Sequence, residues 1–151
     1  MRLISMAHSD LVVSPVGDRL WELAENCVIS MHTDEGVLTM DIAKGYVTDF
    51  RSPRGVLGDI VDIFTPNTGT NAQACCYLFH DCCYTMDANG DHPVTRNVAD
   101  ELLYESLKYC GMSGLRAAVI WDTVRTLGEG PWEEPTEWGN GTRYNFEWDA
   151  K

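Results

Sequence analysis

The apolar, cysteine-rich segment formed by residues 75–84 constrains the fold most strongly, because it contains an adjacent His-Asp pair. Tyr84 follows His80 by four residues, and residues four apart lie on the same face of a helix. Asp100 comes sixteen residues after Tyr84, in a second segment with helical character. His80, Tyr84 and Asp100 are therefore predicted to meet between two helices. Asp81 should point elsewhere, since adjacent helical residues are about 100° apart.

Three helices are predicted in the second half of the chain. Residues 70–73 fit a capping box, and the first helix should end near the breakers at 87–91. The second helix is expected over residues 93–110 and the third over 113–127, each followed by glycine. The first helix carries a stripe predicted to face the core, namely Ala72, Cys76, Phe79, Cys83 and Met86.

The first third of the chain has the patterns of strands. Residues 20–23 and 27–31 are apolar segments, and residues 37–42 alternate between two faces. A turn-like cluster at 32–36 separates the last two, so a hairpin is expected. The predicted class is α+β, with an N-terminal antiparallel hairpin or small sheet packed on a C-terminal bundle of about three helices.

The length and composition predict a single domain over residues 1–151, with 44% hydrophobic residues. It divides into a strand-rich part (1–55), a helical part (56–128) and an aromatic docking tail (129–151). The tail is too aromatic for a flexible linker, and we expect it to pack on this domain or on a partner. Its aromatic residues are Trp132, Trp138, Tyr144, Phe146 and Trp148.

The net charge of −12 argues against nucleic-acid binding, which needs clustered Lys and Arg, and against attraction to an anionic membrane surface. No apolar run reaches the roughly 20 residues of a transmembrane helix, and the first residues do not form a secretory signal. Without such a signal, the six cysteines are expected to be reduced and buried. Disulfides to Cys27 or Cys110 remain an alternative.

The predicted meeting of His80 and Asp100 suggests a catalytic pair. A histidine acts as a general base when an acid orients its other ring nitrogen, and the Tyr84 hydroxyl can hold the same acid in place. Asp81 would then be available to a hard cation such as Ca²⁺, together with oxygens of a preceding loop that contains Asp49. A base that activates water beside a cation that polarises a carbonyl is suited to ester hydrolysis.

Two other interpretations fit the same residues. His80, Tyr84, Asp100 and Arg96 could form a hydrogen-bonded lock in the core without any chemistry. A structural metal site could use the helical face that carries Cys76, His80 and Cys83 with a fourth ligand such as Cys110. This last pattern lacks the usual C-x-x-C spacing, so zinc is not the expected cofactor.

The pattern His80-Asp81-x-x-Tyr84, followed by Asp100, resembles the core of secreted and parvoviral phospholipases A2. In those enzymes the histidine of the motif is the base, its aspartate is a calcium ligand, and a later helix supplies the orienting aspartate. The resemblance implies these roles for His80, Asp81 and Asp100, support of Asp100 by Tyr84, and a lipid or small ester as substrate. Their calcium loop has Gly-x-Gly spacing, for which the segment ending in Asp49 is only a stand-in here.

A broader resemblance runs from about Trp21 to Trp132 and is to a family of phages and prophages, the "domain of unknown function 1353". It implies a viral origin and a location in the host cytoplasm during infection or in the virion, but no activity. The alternative to an esterase is therefore a virion or assembly component (tail, connector or minor capsid protein) whose aromatic tail docks on other phage structural proteins. Four segments carry the resemblance: residues 45–53, 80–84, 96–103 and 124–128.

Overall fold

The computed structural model of the protein describes residues 1–17, 20–49, 71–134 and 140–151. The strands in these ranges are β1 (Leu3–His8), β2 (Val13–Gly17), β3 (Leu20–Leu23), β4 (Cys27–Thr33), β5 (Gly36–Ile42), β6 (Val47–Thr48) and β7 (Tyr144–Ala150). The helices are α1 (Asn71–Tyr84), α2 (Arg96–Tyr109), α3 (Gly114–Leu127) and the short α4 (Glu129–Glu133), followed by a 3-10 turn at Asn140–Thr142. Six strands precede the helices and β7 follows them, and together they form two antiparallel sheets, which confirms the predicted α+β class.

The larger sheet has the strand order β1-β4-β5-β7, and all of its neighbouring strands are antiparallel. The β4–β5 pair is the predicted hairpin, and its inner positions, such as Ile29 and Met40, are fully buried. The smaller sheet has the order β2-β3-β6 and uses the predicted strand at Leu20–Leu23. Strands β1, β2, β6 and β7 were not predicted as strands, and the short β6 lies where a turn-rich loop was expected.

Residues 144–150 of the aromatic tail form an edge strand of the larger sheet. They pair with β5 from Ile42 opposite Tyr144 to Gly36 opposite Ala150. Gly36 has a φ of +150°, and a Cβ there would touch the carbonyl oxygen of Asp149 and approach the Trp148 ring to 2.8 Å. Glycine at this position therefore lets the tail pair along the whole strand.

Helix α1 lies at the centre of the described fold. One apolar cluster joins its Leu78 and Phe79 to the inner face of the larger sheet. Its Tyr77 belongs to a second cluster, shared with residues of α2 and α3 such as Leu103. Because α1 is covered on both sides, nearly all of its residues from Ala74 onward are buried. Of the predicted stripe, Cys76, Phe79 and Cys83 are buried, whereas Ala72 is half-buried and Met86 lies just after the helix.

The helix boundaries follow local capping chemistry. The side chains of Thr95 and Ser113 accept hydrogen bonds from backbone amides and begin α2 and α3. The predicted capping residue of α1, Thr70, lies outside the described residues. None of the described helices has the length and apolar character that crossing a membrane requires. The six cysteines are unbridged, and Cys110 alone among them is partly exposed.

Candidate functional site

Helices α1 and α2 bring His80, Tyr84 and Asp100 into direct contact. The Nε2 atom of His80 lies 2.7 Å from Oδ1 of Asp100, and the Tyr84 hydroxyl donates to the same oxygen at 2.8 Å. The exposed fraction is 1% for His80 and 0% for Asp100. Polar groups buried so fully are costly unless they bond one another, and these three do so.

Two arginines reach the same carboxylate from the other side. Nη1 of Arg125 donates to Oδ2 of Asp100 at 2.9 Å, and Nε of Arg96 lies 3.7 Å from that oxygen. Arg96 also donates through Nε to the Tyr84 hydroxyl at 3.3 Å and through Nη2 to the carbonyl oxygens of Val124 and Arg125. Helix α3 is thus tied to the α1–α2 contact, and both oxygens of Asp100 are occupied.

The electrostatics of the site keep Asp100 ionised. Burial raises the pKa of Asp100, but the hydrogen bonds from His80, Tyr84 and Arg125 outweigh it, and the pKa falls below its usual range. Burial and the nearby Asp100 charge raise the pKa of Tyr84, so its hydroxyl stays protonated and donates. An ionised Asp100 accepts only, so the proton between it and His80 belongs to Nε2.

The second ring nitrogen of His80 is the least satisfied atom of the site. Its Nδ1 is buried and has no hydrogen-bond partner among the described residues. In the neutral ring with the proton on Nε2, this nitrogen carries a free lone pair. Buried polar atoms normally have partners, so this nitrogen is the one atom of the pair that remains able to accept a hydrogen bond or a proton.

Aromatic rings pack around the pair. The Tyr84 ring lies 4.5 Å from the His80 ring, and Trp132 of α4 meets Tyr84 edge-on at 4.9 Å. Trp132 in turn stacks on His92 at 3.6 Å, and each ring nitrogen of His92 lies 2.9 Å from a carbonyl oxygen, of Cys83 or Trp132. This packing restricts Tyr84 and so fixes the group that holds Asp100.

Gly128, just after α3, is the point where the backbone comes closest to this network. A Cβ atom there would lie 2.6 Å from the Tyr84 hydroxyl and 3.1 Å from Nη2 of Arg96, and would touch the carbonyl oxygen of Val124. Its φ of −84° is ordinary, so the requirement for glycine is one of space. A side chain here would displace the groups that hold Asp100.

We expect Gly128→Ala to lower the free energy of unfolding by about 1 to 3 kcal/mol, the usual cost of overpacking. Gly130→Ala is the matched control, because nothing lies within 4 Å of a Cβ at that position. Urea unfolding of both variants measures the difference. Equal stability of the two variants would show that the site tolerates a methyl group at 128.

The candidate calcium ligands are placed differently from the His-Asp pair. Asp81 is half-buried on α1, and Asp49 is half-buried just after β6. Across residues 1–17, 20–49, 71–134 and 140–151, no group of three or more His, Cys, Asp or Glu side chains could hold a metal ion. The described side chains therefore do not by themselves form a calcium site.

The packing also separates the side chains of the alternative metal site on α1. His80 directs Nε2 to Asp100, whereas Cys76 lies 3.6 Å from Cys110. Cys83 is buried in the cluster that faces the larger sheet. His80, Cys76 and Cys83 therefore contact three different groups and are not arranged around one metal position.

Arg125, His92 and Trp132 were not identified as site residues from the sequence. Arg125 stands in one of the segments that carry the family resemblance, at the end of a helix predicted to be near the others. The family resemblance therefore marks Arg125 in the sequence, but it does not indicate that Arg125 contacts Asp100. The stack of His92 on Trp132 joins residues 40 apart in the chain and has no local sequence pattern.

The fold and the site define an α+β protein with a buried His-Asp pair between helices α1 and α2. Two arginines hold the aspartate of this pair and join it to helix α3. The chain belongs to the family described as "Protein of unknown function (DUF1353)", which matches residues 21–124. This confirms the family expected from the sequence. No curated protein and no solved structure matches the chain. The geometry of the site is therefore the main guide to function.

Proposed function

We propose that the protein is a hydrolase of carboxylic esters in which His80 is the general base. The observation that carries the proposal is the unequal state of the two ring nitrogens. Nε2 is bonded to an ionised Asp100, while Nδ1 is buried without a partner among the described residues. A structural histidine in a core would normally have both nitrogens satisfied.

In the proposed reaction, Nδ1 of His80 removes a proton from water while the resulting hydroxide attacks the ester carbonyl carbon. The imidazolium that forms is stabilised by the Asp100 carboxylate, and Tyr84 and Arg125 hold this carboxylate in place. The tetrahedral intermediate then expels the alcohol, which takes the proton back from Nδ1. General base catalysis of this kind contributes roughly 10² to 10⁴ in rate.

A phospholipid or another lipid ester is the proposed substrate class. The support is the likeness of His80-Asp81-x-x-Tyr84 and Asp100 to the phospholipase A2 core. The hydrogen bonds of His80 and Tyr84 to one carboxylate oxygen agree with the roles implied by that likeness. Calcium at Asp81 and Asp49 stays a prediction, and the assay therefore includes Ca²⁺ and a chelator in separate arms.

A second candidate is a structural component of a phage particle, in which the same residues form a core lock. Two observations favour it. His80 is only 1% exposed, and Trp148 on the edge strand β7 is 41% exposed, as a docking residue would be.

A surface cavity of about 460 Å³ lies between α2 and α3 and does not include the site. Its lining residues are Met1, Glu101, Tyr104, Glu105, Ala118 and Trp121.

The test is fatty-acid release from phospholipid vesicles and from short-chain esters by the purified protein, measured by titration at constant pH. We expect hydrolysis of at least one ester class above the rate with heat-unfolded protein. Absence of hydrolysis for all substrates, with Ca²⁺ and without it, would contradict the hydrolase. Detection of the protein in purified phage particles by mass spectrometry would then support the structural role.

A further inference from the structure

Three sulfur atoms from separate elements meet on the side of α1 that faces α2. They are Sδ of Met6 in β1, Sγ of Cys76 in α1, and Sγ of Cys110 immediately after α2. Cys76 lies 3.6 Å from Cys110 and 3.7 Å from Met6, and the third edge, from Cys110 to Met6, is 3.8 Å. The triangle is nearly equilateral, and none of its atoms contacts the His80 site.

The size of this triangle matches a metal ion bound in its plane. The centre of an equilateral triangle with these edges is about 2.1 Å from each corner, close to the roughly 2.3 Å of a zinc–thiolate bond. An expansion of a few tenths of an ångström would give three bonds of normal length. On binding, the Cys76 thiol would give up the hydrogen bond that it donates to the carbonyl oxygen of Ala72 at 3.3 Å.

The donor set decides which ion fits. Two thiolates and a thioether are soft ligands, and such sets select Cu(I). Zinc in structural sites takes four ligands in a tetrahedron. Among the described residues no third His, Cys, Asp or Glu joins the two cysteines in a group that could hold a metal. Met6 is thus the third donor, which favours a soft monovalent ion.

The surroundings suit both entry and retention of such an ion. Cys76 is fully buried and belongs to an apolar cluster with Leu107 and Met112. Met6 and Cys110 are partly exposed and pack against the same cluster. The edge between Met6 and Cys110 therefore reaches the surface, while the opposite corner, Cys76, is shielded from water and oxidants.

We propose that Met6, Cys76 and Cys110 form a trigonal binding site for Cu(I). Binding replaces the two thiol protons by one monovalent cation and leaves the oxidation state of copper unchanged. The site joins β1 to both α1 and the end of α2, so the bound ion also cross-links the sheet to the helices.

The test uses the full chain, reduced and free of oxygen, in competition with a chromogenic Cu(I) chelator. We expect the wild type to withdraw one Cu(I) per chain. Met6→Leu should weaken binding at least tenfold, and Cys110→Ser by more than about 100-fold, because loss of an outer-shell partner alone costs roughly 10- to 100-fold. X-ray absorption at the copper edge should show three sulfur neighbours.

The matched control is Met112→Leu, which changes a methionine of the same apolar cluster outside the triangle. Leucine conserves the volume of methionine closely, so both methionine variants should keep the fold, and circular dichroism checks this. Binding equal in Met6→Leu and Met112→Leu would overturn the proposal. So would a wild type that leaves all Cu(I) with the chelator, or binding that persists in Cys110→Ser.

Discussion

Replacing Asp100 with alanine is expected to lower the free energy of unfolding by about 3 to 5 kcal/mol, the cost of removing one partner of a buried ion pair. The carboxylate is fully buried and accepts hydrogen bonds from His80, Tyr84 and Arg125. Without it, three donors from two helices, α1 and α3, lose their acceptor in a place where water does not easily replace it. The loss should therefore exceed that of a typical surface substitution severalfold.

Urea unfolding at neutral pH, extrapolated linearly to water, measures this loss. Asp122→Ala is the control, because Asp122 is an exposed aspartate on α3 and its removal should change stability by less than about 0.5 kcal/mol. A loss below about 1 kcal/mol for Asp100→Ala would mean that the network is not coupled to the fold.

Replacing His80 with glutamine is expected to reduce the turnover number for ester hydrolysis by roughly 10² to 10⁴. A glutamine amide can still donate to Asp100 and fills much of the same space, so the fold should be retained. It cannot take a proton from water, so the base is lost. The assay is the same titration of released fatty acid, with substrate varied to separate turnover from binding.

His32→Gln is the matched control for this variant. His32 is exposed on β4, far from Asp100 in the sequence and in a different element, and its replacement should leave hydrolysis unchanged. Circular dichroism and thermal unfolding verify that both variants are folded. Equal turnover in His80→Gln and wild type would remove His80 as the base, even if the protein hydrolyses esters.

The sequence predicted the elements with strong local patterns. The β4–β5 hairpin follows from alternation in residues 37–42 and the turn before it, and the ends of α2 and α3 follow from the glycines at 111 and 128. The pairing of β7 with β5 was not predicted, because it joins residues more than 100 apart and depends on register. Gly36 leaves space for the last strand, but in the sequence it is only the glycine that ends the turn-like cluster at 32–36.

The predicted core-facing stripe on α1 included too few of the residues that are buried, and the reason is physical. A stripe describes a helix with one face in solvent, but α1 lies between the larger sheet and the other helices and is buried nearly all round. Its mixed pattern, with Cys75 and Cys82 outside the stripe, reflects this double burial. The stacked neighbours of the site, His92 and Trp132, come from loops and a short helix with no periodic signal.

The contact of His80, Tyr84 and Asp100 follows from spacing alone, since a four-residue step and a second helix suffice to bring them together. The role of Arg125 could not be derived in this way. Its reach to Asp100 depends on how α3 packs against α2, which is set by side chains along both helices and by the space left at Gly128. Tertiary packing of this kind is not encoded in any short segment.

The most direct test of this account is the protonation of the two His80 ring nitrogens, measured by long-range ¹H–¹⁵N correlation on ¹⁵N-labelled protein near neutral pH. Asp100 accepts from Nε2, so we expect the neutral ring to carry its proton on Nε2, which leaves the lone pair on Nδ1. In Asp100→Asn this preference should weaken, because the amide can also donate. A proton on Nδ1 in the wild type would contradict the account, because His80 would then have no free base.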